Sequence, residues 1–337
     1  MEYLYKGNEK MIKIIGGSGF IGTRLSKRLN KNNSEFSIVD KAMSKSFESI
    51  CSIADVRDTE SLSKVLNSDD IIINLAAEHR DDITPKTLYD DVNVQGARNV
   101  CEVAQEKGIS TIIFTSSVAV YGFAPLGTDE SGEINYFNDY GRTKYEAELV
   151  YKEWYNKDPQ NRKLVIVRPT VVFGEQNRGN VYNLLRQIAS GKFMMIGDGT
   201  NRKSMAYVEN VAAFLEYSLS FENGIHIYNY IDKPDFDMNT LVKNVNKALG
   251  KEEKVGFRMP FSIGYSIGKL FDLAAFVTGK KFTVSSIRVK KFCSDSMFDT
   301  SIEKSGFVRP VELENGLAST IKYEFNDKTE SELFYSE

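Results

Sequence analysis

Ser117, Tyr140 and Lys144 are the residues whose types and spacing could do chemistry, and they lie downstream of a glycine turn, Gly16-Gly17-Ser18-Gly19-Phe20-Ile21-Gly22. A phenol titrates at a pH of about 10 in water, so Tyr140 can remove a proton near neutrality only where positive charge stabilises its phenolate. Lys144 follows four residues later, a spacing that puts both side chains on one face of a helix, where a cation favours the ionised form. The Ser117 hydroxyl both donates and accepts, so it can hold an alcohol and then the carbonyl oxygen formed as hydride leaves. These groups describe a nicotinamide enzyme with a phenol base. Taken singly, Tyr140 and Ser117 would also suit ordinary partly buried hydrogen bonders.

Residues 11–15 form a short apolar run with the length of a buried strand, and Thr23 to Leu29 follow with helical spacing. A strand, glycine turn and helix can hold a pyrophosphate on the helix's first N–H groups. The turn residues Gly16, Gly19, Phe20, Ile21 and Gly22 are the expected cofactor contacts. Asp40 ends a second strand eighteen residues after Gly22. A carboxylate there accepts from the adenosine ribose and repels a 2′-phosphate, which favours NAD over NADP. Asp55, with Val56 beside it, ends a further strand; it could reach the adenine or cap a helix.

Ile71 to Ile73 lead into Asn74-Leu75-Ala76-Ala77, residues 92–107 are helical in pattern, and Thr111 to Phe114 and Lys163 to Val167 are further continuous apolar runs. Such runs suit strands covered on both faces. The alternation predicts a doubly wound, Rossmann-type parallel sheet with ligands at the strand C-terminal ends, which places Leu75, Ala76 and Ala77 beside the cofactor. After Arg168-Pro169 the alternation weakens, and a smaller α/β substrate domain is expected. The expected boundaries are 11–172 for the nucleotide domain, rejoined by about 204–231. Residues 173–203 and 232–325 make the substrate domain, with 1–10 and 326–337 as peripheral tails.

The chain has 337 residues, a net charge of −3 and a pI near 5.7, which gives no basic field for nucleic acid. Its most apolar late segment, 259–278, is interrupted by Lys269 and Asp272 and reads as an amphipathic helix rather than a membrane span. Cys51, Cys101 and Cys293 are widely spaced, and only His79 and His226 accompany them. No metal site is expected, and free thiols suit a reducing cytoplasm.

The glycine turn, Asp40, Asn74 to Ala77, Thr115 to Gly122, Tyr140-Gly141-Arg142-Thr143-Lys144 and Arg168-Pro169, in this order, resemble the extended short-chain dehydrogenase/reductases, and more narrowly their nucleotide-sugar epimerase/dehydratase group. That resemblance implies NAD as cofactor, Tyr140 as base and cofactor contact, Lys144 as the group that lowers its pKa and contacts the nicotinamide ribose, and Ser117 on the reacting oxygen. It also implies a nucleotide-diphosphate sugar as substrate and a cytoplasmic homodimer. Asn93 could order the site from the preceding helix.

Val118 and Ala119 discriminate among the group's reactions. Elimination of water needs a further acid and base, which dehydratases of this group carry directly after the hydroxyl residue; sugar-acid decarboxylases carry a Glu there. Neither Val118 nor Ala119 transfers a proton. Epimerisation at C4 through a transient 4-keto sugar is the reading favoured by Asp40, since an epimerase regenerates its NAD. Keto reduction is the alternative; a non-catalytic NAD-binding protein and a hydroxysteroid-type oxidoreductase are weaker ones. Thr170 and Val171 replace a polar family position, which weakens one sugar or phosphate contact. By resemblance Asn180, Lys203 and Arg288 meet the sugar nucleotide, and Ser296, three residues before Asp299-Thr300-Ser301, borders the C2 substituent and leaves room for an N-acetyl group. His79, Arg80, Asp81 and Asp82 could border the sugar or form a solvated loop.

Overall fold

In the computed structural model, which describes residues 10–80, 83–279, 282, 285–327 and 332–335, the apolar runs become strands and the segments between them helices. The first half runs β1 (Ile12–Ile15), α1 (Phe20–Lys31), β2 (Phe36–Asp40), β3 (Cys51–Ile53), α2 (Thr59–Val65), β4 (Ile71–Asn74), α3 (Gly96–Lys107), β5 (Thr111–Thr115), α4 (Asp139–Asn156) and β6 (Lys163–Pro169). The second half runs β7 (Val171–Phe173), α5 (Asn180–Ala189), β8 (Met195–Ile196), β9 (Arg202–Tyr207), α6 (Val208–Tyr217), β10 (Gly224–Tyr230), β11 (Asp232–Asp237), α7 (Met238–Ala248), β12 (Arg258–Met259), α8 (Phe261–Thr278), α9 (Ser286–Cys293) and α10 (Leu313–Ile321).

Seven strands form one sheet in the order β10-β6-β5-β4-β1-β2-β3, and every pairing in it is parallel. Alternate side chains feed opposite faces, as strand geometry requires. Ile15, Val39, Ile72 and Ile112 pack with residues of α3 and α4, while Ile14, Ile38, Ile73 and Ile113 pack with α1 and α6. The strand order reverses between β1 and β4, the crevice where doubly wound sheets bind ligands. The glycine turn opens there.

The later residues build a second layer. β11, β9 and β7 form a three-stranded sheet and β12 pairs with β8, over a core that includes Leu185, Val208, Leu241, Val245 and Leu317. β10 returns to the edge of the large sheet beside β6. Two details differ from the expected boundaries. Residues 171–172 and 204–207 lie in the small sheet, because β7 pairs with β9. The C-terminal segment is not wholly peripheral: Phe334 is buried, its N–H donates to the Gln176 carbonyl and its own carbonyl accepts from Arg178 N–H. Its ring stands 5.9 Å from that of Phe20, and burial of this one aromatic accounts for the docking. Residues 1–9, Asp81 and Asp82 lie outside the described residues. Among the described residues no helix is long and apolar enough to cross a membrane, and no group of three or more His, Cys, Asp or Glu could hold a metal ion.

Candidate functional site

Gly16 has φ +78°, and a Cβ there would stand 2.6 Å from the Ala76 nitrogen; at Gly22 a Cβ would stand 2.5 Å from the Gly17 Cα. The turn is therefore pressed against both the end of β4 and itself, and only glycine fits. α1 starts at Gly19 with no side-chain cap and no acid in its first turn. The N–H groups of Phe20, Ile21 and Gly22, which lack intrahelical acceptors, are thus arranged as an anion-binding end. Asp40 lies against the same turn: its carboxylate accepts from Ser18 N–H at 2.9 Å and Ala42 N–H at 3.1 Å. Two acceptances leave a carboxylate with further lone pairs for ribose hydroxyls. These features fit a dinucleotide held by residues 16–22, Asp40 and 75–77.

Asp55 does not cap the helix that follows it. Its carboxylate makes a fork with Arg57, the shortest contact 2.6 Å, and the Arg57 hydrogen bonds hold it below the usual carboxylate range. Asp58, three residues on, caps α2. Val56 is buried against Gly96, and its carbonyl accepts from Asn99.

α4 brings the reactive side chains together. Asn138 caps it by accepting from Gly141 N–H at 2.9 Å, and a Cβ at Gly141 would stand 2.4 Å from the Ala119 carbonyl oxygen. A bare Cα beside Tyr140 lets the helix start press on the turn Val118–Tyr121, where Ser117 is the preceding residue and caps the turn. Burial pushes the Tyr140 phenol up to about 12, while a hydrogen bond with Ser117 works the other way. Lys144, one turn on, is buried, and burial pulls its ammonium down to about 7 against the opposing pull of Glu148. Its Nζ stands 4.4 Å from the centroid of the Phe114 ring. Burial thus acts against the charged form of both groups, raising the phenol and lowering the ammonium.

Sequence reasoning missed the layer beneath. Glu148, fully buried, forms a fork with Arg168, Nε to Oε1 at 2.8 Å and Nη2 to Oε2 at 2.6 Å, and accepts from Ser116 Oγ at 2.6 Å. Arg168 Nη1 donates to the Tyr121 hydroxyl, which donates to Asn229. Tyr140, Lys144 and Glu148 repeat at intervals of four on α4 and Arg168 lies next to the end of β6, but neither spacing pairs Glu148 with Arg168. Asn93 does order the site, from a wide π-type turn, Asp90–Gln95. Its amide accepts from Glu78 N–H and donates to the Glu78 carbonyl and to Thr143 Oγ1, tying the loop after β4 to the residue beside Lys144. Glu78 in turn holds Arg80.

The substrate candidates are dispersed over the small layer. Asn180 opens α5 and is exposed, as are Arg288 on α9 and Ser296. Lys203 Nζ donates to the carbonyls of Lys291 and Ser294, which leaves one of its three donors. Two of its donors thus fasten the end of α9. They are so engaged because Lys203 and Ser296 form a strand-like bridge, with Ser296 N–H donating to Arg202 and Ser204 N–H to Ser296. Thr170 is buried and donates to the Tyr230 carbonyl. A cavity of about 530 Å³ elsewhere, lined by Arg24, Lys27 and Glu175 among others, includes none of the reactive residues; Arg24 there is paired with Glu175 and Glu209.

Residues 12–230 match the model of the NAD dependent epimerase/dehydratase family. The chain is 51% identical, over 93% of its length and 95% of the relative's, to an N-acetyl-alpha-D-glucosaminyl-diphospho-ditrans,octacis-undecaprenol 4-epimerase of Escherichia coli O157:H7. Its fold is similar to that of UDP-N-acetylglucosamine 4-epimerase from Bacillus cereus, with TM-score 0.74, 17% identity and coverage of 94% and 99% of the two chains. It is also similar to UDP-glucuronic acid 4-epimerase from Bacillus cereus in complex with NAD, with TM-score 0.72, 20% identity and coverage of 93% and 98%. The chain belongs to the NAD-dependent epimerase/dehydratase family, and its cofactor is NAD.

Proposed function

We propose that the protein inverts C4 of an N-acetylhexosamine carried on a polyprenyl diphosphate, as a cytoplasmic homodimer. The observation that carries the reading is the 51% identity, nearly end to end, with a relative named for that substrate. The residues agree with it: the Ser117, Tyr140 and Lys144 set is intact, and Val118 and Ala119 offer no second acid or base for elimination.

In this reading Ser117 holds the 4-oxygen and Tyr140 takes the 4-hydroxyl proton. Lys144, when protonated, supplies positive charge one turn away. The glycine turn and Asp40 would hold NAD, which would supply reversible hydride acceptance at C4. Tyr140 then returns the proton to the reformed alkoxide. No net oxidation remains.

The test is to incubate the purified protein with N-acetylglucosaminyl-diphosphopolyprenol in detergent and, separately, with UDP-N-acetylglucosamine. The released hexosamines are then separated. Conversion of the lipid-carried sugar to its C4 epimer without added NADH is expected. Turnover of the UDP sugar alone would overturn the lipid carrier and leave a nucleotide-sugar epimerase; consumption of NADH with a keto sugar would overturn epimerisation.

A further inference from the structure

α8 is built inside out for a helix in water. A surface helix of a soluble domain turns its apolar stripe inward and its polar face outward. In α8 the fully buried positions are Gly264 and Gly268. A Cβ at Gly268 would stand 2.7 Å from the Ser286 backbone, and one at Gly264 would stand 2.8 Å from the Ile196 side chain. The helix thus packs on α9 and β8 through its glycines. Its bulky residues face away: Leu270 is 67% exposed, Leu273 61%, Phe276 88% and Val277 73%, with Ile263 also exposed. Ile263, Leu270, Leu273 and Val277 are spaced at seven, three and four residues and form one stripe. Phe276 lies beside it.

The sequence of this stretch is rich in positive charge. From Arg258 to Lys291 the sequence holds seven lysines and arginines against one acid, Asp272, in a chain whose net charge is −3. Asp272 is turned away from the stripe and accepts from Ser286 N–H at the start of α9. Lys269, the charged residue left along the exposed side, has an aliphatic stem long enough to lift its ammonium clear of an apolar phase. α9 adds Lys290 and Lys291, both exposed. An apolar stripe that carries Lys269, on a helix pair whose second member exposes Lys290 and Lys291, fits the interface of an anionic bilayer, with aliphatic side chains among the acyl chains and ammonium groups at the headgroups.

The same surface leads toward the reactive residues. Lys291 Nζ lies 4.7 Å from the Phe137 ring centroid and 5.9 Å from that of Phe123, and both rings are exposed. Phe137 immediately precedes Asn138, the cap of the helix carrying Tyr140.

We propose that α8 and α9 form a membrane-docking surface that lies on an anionic bilayer without crossing it, through the apolar side chains of Ile263, Leu270, Leu273, Phe276 and Val277 and the exposed ammonium groups of Lys269, Lys290 and Lys291. The choice of a bilayer over another apolar occupant rests in part on the lipid-carrier reading above; the exposed stripe and its charge do not.

Flotation of the purified full-length protein with vesicles tests it. Vesicles of equal parts phosphatidylethanolamine and phosphatidylglycerol, free of any sugar lipid, are compared with vesicles of phosphatidylcholine alone. The protein should float with the anionic vesicles and be released by high salt. The double variant Leu273→Glu/Phe276→Glu should float about tenfold less or worse. Lys290→Glu/Lys291→Glu should lose the preference for the anionic vesicles. Turnover of detergent-dispersed substrate and bound NAD content should be unchanged in both, which shows that the fold is intact. Failure of the unmodified protein to float overturns the proposal, as does equal flotation by the Leu273→Glu/Phe276→Glu protein. A fall in solution mass in that variant, with no flotation of the unmodified protein, would assign the stripe to a second copy of the chain. Flotation with no activity on the polyprenyl substrate would sink the substrate reading and leave the docking surface standing.

Discussion

Lys144 and Glu148 sit one helical turn apart on α4, both buried, with the carboxylate gripped by the Arg168 fork on its far side. The ammonium is thus poised between desolvation, which pulls its pKa to about 7, and Glu148, which pulls it back up. The Arg168 fork fixes where that carboxylate points, and removing one member of such a buried pair leaves the other charge uncompensated. Glu148 is in this sense a positioning residue: it acts on the reaction through Lys144 and through Ser116, the neighbour of Ser117.

The neutral variant Glu148→Gln should therefore move the pH profile as well as the stability. The folded Lys144 carries its charge below about pH 7 and loses it as pH rises through that value. Without Glu148 the influence that raises it is gone, so the charge is lost at lower pH. The alkaline limb of kcat/KM should shift toward acid. Stability should fall by about 3–5 kcal/mol, the usual cost of orphaning one member of a buried pair. A destabilised variant with an unmoved alkaline limb would make Glu148 purely structural.

Tyr140→Phe deletes one oxygen and leaves the ring packed. Because the phenol is the proposed proton acceptor, turnover should drop by about 10²- to 10⁴-fold, the range for losing general acid–base catalysis. NAD binding should persist, since Gly16 to Gly22 and Asp40 are untouched. The check is steady-state turnover beside cofactor content; near-normal turnover would remove Tyr140 from the mechanism.

The parts of this site that could be read from the sequence were those whose chemistry depends on local spacing. The glycine turn, Tyr140 with Lys144, and the strand ends at Asp40 and Asn74 are each set within a few residues of chain, and the parallel sheet follows from apolar runs too short for helices. What escaped depends on tertiary proximity. Glu148 meets Arg168 across twenty residues and Tyr121 meets Asn229 across one hundred and eight, and no local pattern marks such pairs. The fork between Asp55 and Arg57 was likewise not anticipated, although the two lie only two residues apart. The segment 259–278 reads as an amphipathic helix, but only its packing through Gly264 and Gly268 reveals that the apolar side faces out.

Asp40 should discriminate between cofactors. Its carboxylate borders the glycine turn through Ser18 N–H, where a 2′-phosphate would meet a negative charge in place of a hydrogen-bonding hydroxyl. The unmodified protein should bind NAD more tightly than NADP, and Asp40→Ala should narrow the gap. Fluorescence titration with both cofactors measures this. Equal affinities in the unmodified protein would exclude the carboxylate as the determinant.

Ser296 offers a test of sugar size. Its backbone is fixed against β9 through Arg202 and Ser204, so a larger side chain there changes what projects from the segment without freeing the segment itself. If Ser296 borders the C2 substituent, its small side chain leaves space for an N-acetyl group. Ser296→Tyr should then lower activity on the N-acetylhexosamine while sparing the sugar with a plain 2-hydroxyl. Loss of pocket contacts of this kind is worth about 10–200-fold in discrimination. Both sugars, on the same carrier, are assayed against the unmodified protein and the variant, with thermal unfolding measured in parallel. Since Ser296 is exposed, the tyrosine should leave stability near its original value, and any change in the ratio of activities then reports on the pocket. If the two activities fall together, or neither falls, Ser296 does not gate the C2 substituent, and the determinant of N-acetyl acceptance must lie on another element.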